Sequence, residues 1–189
     1  MIPDTRTSES PSVFDDLPGD LMMWVLIVSE LLVFGAGLAA FLAVRITDPT
    51  GFADAQSNLH RAAAGLNTLV LVTSGWLAAL SHQAVLAGQI QRTRALLVGS
   101  ASLGAVFLAI KLAEYADAFA KGFSTDSGPF FTFYFLLTGF HAAHVVAGML
   151  LLVLVAYRPK PGPVQTVAMF WHMVDLVWVL LFPVIYLLK

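Results

Sequence analysis

The most restrictive feature of the sequence is a long apolar stretch, residues 130–157, that carries two histidines near its middle. An α-helix rises 1.5 Å per residue, so about 20 apolar residues cross the roughly 30 Å hydrocarbon core of a bilayer. His141 and His144 are three positions apart, which places both imidazoles on one side of such a helix. Lipid chains offer a histidine no hydrogen-bond partner. We therefore expect this helix to lie inside a membrane-embedded bundle.

Small residues recur along another side of the same segment. Gly139, Ala143 and Ala147 follow one another every four residues. Small side chains at this spacing let the backbone of a second helix approach closely. The spacing predicts a helix–helix contact along this stripe.

The composition supports a membrane protein and excludes several classes of function. Hydrophobic residues make up 58% of the chain and charged residues 12%, whereas a soluble domain carries about 25% charged residues. The net charge is −2 and no run of basic residues is present, so nucleic-acid binding is not expected. The chain contains no cysteine, which excludes disulfides, iron–sulfur clusters and thiolate metal sites.

Four other segments also have the length and apolar character of membrane spans. Residues 1–19 are polar and acidic, lack the apolar core of a secretory signal, and are predicted to form a flexible tail. Residues 20–189 are predicted to form one all-α domain, an integral membrane bundle of five transmembrane helices. The five spans are predicted at about 21–44, 62–82, 95–118, 130–157 and 164–188. Lys and Arg are slightly more numerous on the side of the N-terminus, which favours a cytoplasmic N-terminus.

Glu30 is the most informative ionisable residue, because it lies near the centre of the first span with no Lys or Arg inside that span. A charged side chain at mid-bilayer costs about 2.5–3.5 kcal/mol on insertion scales. We therefore expect Glu30 to be protonated. It either forms a hydrogen bond with a neighbouring helix, or handles protons or contacts lipid.

Other polar residues inside the spans are expected to find partners within the bundle. Lys111 and Glu114 are three positions apart on one helix, which predicts an internal salt bridge. Asp175 lies among tryptophans and needs a hydrogen-bond donor, for which His172, three positions earlier, is suited. Asn67 in the second span is expected to make a similar polar contact.

The residue types alone leave three uses of these polar groups open. His141, His144 and His172, with Asp175 or Glu30, would suffice for a metal site, and two histidines on facing helices can hold a haem. A pathway for protons or substrate and purely structural contacts would use the same residues. An independent membrane protein that performs proton-coupled transport or binds metal or haem therefore remains the alternative function.

Five segments of the chain, one per predicted helix and in the same order, resemble subunit III of the haem-copper oxidase superfamily. They are WVLIVSELLVF from Trp24, LNTLVLVTSG from Leu66, LGAVFLAIKLAEY from Leu103, TGFHAAHVVAG from Thr138 and FWHMVDLVWVLLFPVIY from Phe170. The segment PGDLMMW, which begins at Pro18, is most similar to the five-helix NorE-type proteins associated with nitric oxide reductase. Five-helix subunits of cytochrome c and quinol oxidases are similar as well.

This resemblance implies an accessory subunit in the bacterial inner membrane, with no catalytic residue and no haem or metal of its own. Its expected partners are membrane lipids, including a bound phospholipid, and catalytic subunit I of a cytochrome c or quinol oxidase or a nitric oxide reductase. The subunit would support assembly, stability or proton supply of that enzyme. Glu30 matches the membrane-embedded carboxylate beside a lipid-filled cleft in this family. His141, His144, His172 and Asp175 match polar contacts inside the bundle, and Lys111 stands where an uncharged residue is usual.

Overall fold

The computed structural model describes residues 21–188, and these residues form a bundle of α-helices. Five helices are long and apolar enough to cross a membrane. This confirms the predicted fold class and the number of spans, while the predicted tail at residues 1–19 lies outside the described part. The helices are α1 Leu21–Thr47, α2 Pro49–Ser57, α3 Arg61–Leu86, α4 Ile90–Ala120, α5 Pro129–Tyr157 and α6 Pro161–Phe182, and a π-helical turn, Pro183–Leu187, follows α6.

The connections are shorter than the sequence suggests, because polar residues near the ends of the spans are helical. Only residues 87–89 separate α3 from α4, and only residues 158–160 separate α5 from α6. Gly88 makes the first of these tight turns possible with a φ of 71°, a conformation that other residues rarely adopt. Pro129 and Pro161 each begin a helix. The first N–H groups of a helix have no partner within it, so a proline at this position costs no hydrogen bond.

The segment between the first two spans is a short helix, α2, and not the irregular loop that its Asp, Pro, Gly and Asn content suggests. The Asp48 carboxylate caps it by accepting a hydrogen bond from the Gly51 N–H at 3.0 Å. Phe52 and Gln56 are buried, and the Gln56 amide donates to the Ile185 carbonyl oxygen at 2.8 Å. Helix α2 therefore packs against the end of the bundle that contains the π-helical turn, and covers that end.

The bundle consists of a ring of four helices with α1 outside it. Around the ring, α3 packs on α4, α4 on α5, α5 on α6, and α6 on α3. Helix α1 contacts α5 and α6 and leaves most of its apolar side chains exposed. It is held near its C-terminal end, where the buried Arg45 guanidinium donates to the Leu188 carbonyl oxygen at 2.6 Å.

A buried tryptophan determines how closely the helices of the ring approach one another. The Trp171 indole of α6 is inaccessible to solvent and donates to the Ser74 hydroxyl of α3 at 3.0 Å. Its ring packs on Gly148 of α5 and Gly104 of α4. A Cβ at Gly148 would lie 2.5 Å from the ring, and a Cβ at Gly104 would lie 2.9 Å from it. These two positions therefore require glycine.

The predicted packing stripe on α5 is mostly exposed, and only Gly139 lies near a neighbouring helix, at Tyr115 of α4. Ala143 and Ala147 are exposed and Gly139 is only partly buried. The buried side of α5 includes Val145 and Gly148 instead, because that side meets the large aromatic residues of α4 and α6. The close approach predicted for this helix therefore occurs at Gly148, one position after the stripe.

Candidate functional site

Glu30 and His144 form a pair across α1 and α5, close to the middle of both helices. Glu30 Oε2 lies 3.1 Å from His144 Nε2, and the two side chains are 26% and 16% exposed. Phe34 packs its ring against the His144 imidazole, with centroids 5.5 Å apart, and also against Phe140. Glu30 thus lies beside a polar side chain of a neighbouring helix.

A hydrogen bond to the backbone of α5 orients the His144 ring. His144 Nδ1 lies 2.9 Å from the Phe140 carbonyl oxygen, which can only accept, so Nδ1 carries a hydrogen. Nε2 then lies 3.1 Å from Glu30 Oε2, while Oε2 forms no hydrogen bond of normal geometry among residues 21–188. A polar partner on a facing helix reduces the cost of placing an ionisable group in the bilayer.

A second polar cluster lies inside the helix ring, toward the end of the bundle that α2 covers. Lys111 Nζ donates to Glu114 Oε2 at 3.1 Å, and the two side chains are 2% and 7% exposed. This is the salt bridge that the sequence spacing predicts. Lys111 also donates to the hydroxyls of Tyr134 and Tyr186, and the Tyr186 hydroxyl donates to Glu114 Oε1 at 2.8 Å. The cluster joins α4, α5 and the π-helical turn.

Aromatic rings complete the surroundings of the Lys111 ammonium. The ammonium nitrogen lies 4.6 Å from the Tyr134 ring centroid and 5.4 Å from the Trp178 ring. Aromatic faces attract a cation, and the attraction is stronger when the cation is desolvated. The rings and the carboxylate of Glu114 therefore replace the water that this lysine loses on burial.

The pairing between Lys111 and Tyr186 is not visible in the sequence pattern. Pro183 has no N–H to donate to the carbonyl of Val179, and the backbone continues as a π-helical turn from Pro183 onward. Tyr186 lies in this turn and is fully buried. The proline is the only signal in the sequence that marks a change of helical register at this place.

His141 occupies the hydrophobic core rather than a polar site. Its ring stacks on Trp178 with centroids 5.3 Å apart and meets the edge of Phe107 at 5.6 Å. Neither ring nitrogen has a hydrogen-bond partner among residues 21–188. The neighbouring Asn67 does make the expected polar contact, because its amide donates to the Phe107 carbonyl oxygen at 3.1 Å.

His172 and Asp175 lie together on α6, where it faces α3. His172 Nδ1 is 3.8 Å from Asp175 Oδ2, and the histidine side chain is 47% exposed while the aspartate is 11% exposed. Gly75 of α3 leaves room for the carboxylate, since a Cβ there would lie 2.0 Å from Asp175 Oδ2. The donor predicted for Asp175 is thus beside it, at a distance longer than a normal hydrogen bond.

The three histidines considered for a metal or haem site, His141, His144 and His172, do not converge on one point. His144 turns toward α1, His141 packs in the ring interior, and His172 lies on the surface beside α3. In the described part of the chain no three metal-binding side chains come together. The arrangement provides a Glu–His pair between α1 and α5 and a buried Lys–Glu ion pair inside the helix ring.

Five apolar spans around these buried polar groups define a multi-span α-helical membrane protein. Residues 12–189 match the family model of cytochrome c oxidase subunit III, and the chain belongs to this family. This confirms the resemblance to subunit III of haem-copper oxidases.

Similar proteins include relatives of about the same length as this chain and much longer ones. Cytochrome c oxidase subunit 3 of Corynebacterium diphtheriae is 31% identical over 176 residues, which are 87% of this chain and 86% of that protein. The subunit 3 of Thermostichus vulcanus is 29% identical over 181 residues, covering 89% and 86% of the two chains. The heme-copper oxidase subunit I+III of Aeropyrum pernix is 29% identical over 184 residues, which are 87% of this chain and 22% of that protein. The chain thus spans about a fifth of the Aeropyrum protein, and the match to the Marchantia polymorpha subunit 3 spans 48% of that relative.

Proposed function

We propose that this chain is a non-catalytic subunit III of a haem-copper respiratory enzyme and binds a catalytic subunit I. Membership of the subunit III family supports this role. The name of the Aeropyrum relative, heme-copper oxidase subunit I+III, describes both subunits in one polypeptide. We infer that the same two units associate here as separate chains.

We further propose that the Glu30–His144 pair helps to maintain the proton supply of the catalytic partner. The observation that carries this proposal is the contact of a carboxyl group with an imidazole inside the membrane spans, with Glu30 Oε2 3.1 Å from His144 Nε2. Both kinds of group can bind and release a proton. The partial exposure of both side chains allows exchange with a neighbouring lipid or protein group.

Three variants of the full chain, expressed with its catalytic partner, test this role. Glu30→Gln keeps the size and polarity of the side chain beside His144 and should leave assembly intact, but the enzyme should lose activity progressively during turnover. Glu30→Ala removes the polar contact with His144 and should also weaken co-purification. Ser29→Ala is the matched control, because Ser29 is exposed and bonds only to its own helix at the Leu26 carbonyl oxygen. Identical time courses and co-purification for all variants would show Glu30 to be a passive polar group.

The nature of the partner enzyme is a separate part of the proposal. We propose a nitric oxide reductase as the partner, because the segment from Pro18 to Trp24 resembles NorE-type proteins. An oxygen reductase, either a cytochrome c or a quinol oxidase, is the second candidate and is favoured by the similarity to named cytochrome c oxidase subunits. Purification through a tag on this chain, followed by assays of oxygen and nitric oxide consumption, distinguishes them.

We propose that the chain lies in a bacterial inner membrane with its N-terminus in the cytoplasm. In the described residues, the end of the bundle at which α1 begins carries four basic side chains in or beside the two short connections, and cytoplasmic ends are enriched in Lys and Arg. These are Arg92, Arg94, Arg158 and Lys160. Reporter fusions at the two termini should lie on opposite sides of the membrane, and fusions on the same side would contradict the proposal.

We also propose that the chain holds no resident haem or metal, since His141, His144 and His172 point in different directions. Elemental analysis of the purified chain tests this. Stoichiometric iron, copper or zinc that disappears in His141→Ala or His172→Ala would overturn it.

A further inference from the structure

A groove of about 260 Å³ lies between α4 and α5 at the basic end of the bundle. Its lining changes in character with depth. Arg94 and Tyr157 form the outer level, at the beginning of α4 and the end of α5. Val98 and Val153 lie one helical turn, about 6 Å, deeper on the same two helices. The groove thus has a cationic, hydrogen-bonding rim above an apolar wall.

Arg94 is fixed in a position that leaves most of its donors free for a ligand. One guanidinium nitrogen donates to the Tyr157 carbonyl oxygen at 3.1 Å, which bridges the rim of the groove. A guanidinium has five N–H donors, so several remain available toward the groove mouth. Planar arginine donors suit phosphate oxygens well.

The described residues at the groove end of the bundle carry charge of one sign. Besides Arg94, the same end of the bundle carries Arg92, Arg158 and Lys160. Among the described residues, no Asp or Glu lies in the connections 87–89 and 158–160 or in the helical turns beside them. The opposite end carries acidic side chains, including Asp48, Asp54, Asp117 and Asp126, together with its basic ones. Only the groove end of the described bundle therefore favours an anion.

We propose that this groove binds an anionic phospholipid, with its phosphate on Arg94 and an acyl chain along Val98 and Val153. Basic pockets between transmembrane helices are suited to anionic headgroups. The apolar wall continues from the rim into the depth of the bilayer. An acyl chain covers this wall, whereas a free phosphate would leave it uncovered. The site lies between α4 and α5, away from the Glu30 side of the bundle, and it does not depend on the proposed function.

Native mass spectrometry of the full chain in mild detergent tests the site, with equal amounts of phosphatidylglycerol and phosphatidylcholine. The wild type should retain phosphatidylglycerol in preference to phosphatidylcholine. Arg94→Gln should lower phosphatidylglycerol affinity about fivefold, the effect of one basic residue near a lipid surface. Arg92→Gln is the matched control, since it removes the same charge at the same end, where Arg92 bonds to Gln89 outside the groove. It should change the affinity less than twofold.

Three results would overturn the proposal. Equal losses in Arg94→Gln and Arg92→Gln would show diffuse attraction rather than a site. Displacement of phosphatidylglycerol by millimolar inorganic phosphate would show that the acyl chain contributes nothing. A photo-crosslinking residue at Val153 that reacts with the catalytic partner and not with lipid in the purified complex would show that a protein helix covers the groove.

Val98→Trp provides an independent check, because it fills the apolar wall and leaves Arg94 in place. Its exposed position protects folding. Phosphatidylglycerol retention should fall at least fivefold in this variant. Unchanged retention would contradict a chain bound along the groove.

Discussion

The buried ion pair of α4 offers the sharpest test of the structure through the replacement Lys111→Met. Lys111 and Glu114 are nearly inaccessible to solvent and 3.1 Å apart. Removing one partner of a buried pair leaves the other uncompensated and costs about 3–5 kcal/mol. The Tyr134 and Tyr186 hydroxyls also lose their shared partner, at about 1 kcal/mol for each hydrogen bond. We expect Lys111→Met to lower the free energy of unfolding by at least 3 kcal/mol.

The double variant Lys111→Met/Glu114→Leu should recover most of this loss. Apolar replacement of both members of a buried pair is often neutral, because the desolvation cost of both charges disappears. The remaining loss is the hydrogen bond from Tyr186 to Glu114, so we expect the double variant to lie within about 2 kcal/mol of the wild type. The coupling free energy between the two positions should exceed that of any surface pair.

The measurement is unfolding of the purified chain in mixed micelles with increasing SDS, followed by tryptophan fluorescence. Trp178 lies beside Lys111 and reports on this region. Lys121→Met is the control, because Lys121 pairs with Asp117 at 2.7 Å on the surface, where both side chains are about 40% exposed, and it should cost less than about 1 kcal/mol. A double variant as unstable as the sum of its single variants would refute the account of the ion pair.

Two further variants test the packing and the π-helical turn. Gly148→Ala should destabilise the chain by about 1–3 kcal/mol, because the added Cβ would meet the Trp171 ring. Ala143→Leu, on the exposed stripe, should change stability by less than about 0.5 kcal/mol. Thermal melts in detergent compare the two variants, and a larger loss in Ala143→Leu would contradict the packing. Tyr186→Phe should lower the stability of the chain by about 1–3 kcal/mol, because Glu114 loses its hydrogen bond from the Tyr186 hydroxyl. Tyr157→Phe, at an exposed position, should leave the stability unchanged. Equal melting curves for Tyr186→Phe and the wild type would exclude a stabilising role for the turn.

The architecture could be predicted from the sequence because the bilayer imposes a length and a composition on each span. Hydropathy located all five helices, and the spacing of Lys111 and Glu114 was sufficient for their ion pair, since both lie on one helix. The boundaries were less accurate, because polar residues at the ends of spans continue the helix into the headgroup region. Helix α2 has no apolar length to mark it and is held by the cap at Asp48.

Contacts between helices required the structure. Glu30 and His144 each stood out as polar residues in apolar spans, but hydropathy does not give the rotation of one helix about its axis relative to another. The same limitation explains the stripe at Ala143, which has the correct spacing on the wrong side of α5. A periodic pattern identifies the sides of a helix, and the volume of Trp171 determines which side receives a neighbour.

The pairing of Glu30 with His144 has a consequence for the biosynthesis of the protein. Helix α1 leaves the ribosome long before α5, and at about 5–20 residues per second the interval between residues 30 and 144 lasts roughly 6 to 23 seconds. During that time the carboxyl group has no imidazole beside it, so α1 must enter the bilayer by its own hydrophobicity. Each Leu, Ile, Phe or Val contributes only about 0.3–0.6 kcal/mol to insertion, and α1 has the highest mean hydropathy of the five spans. Its apolar excess therefore carries Glu30 into the membrane before its partner exists.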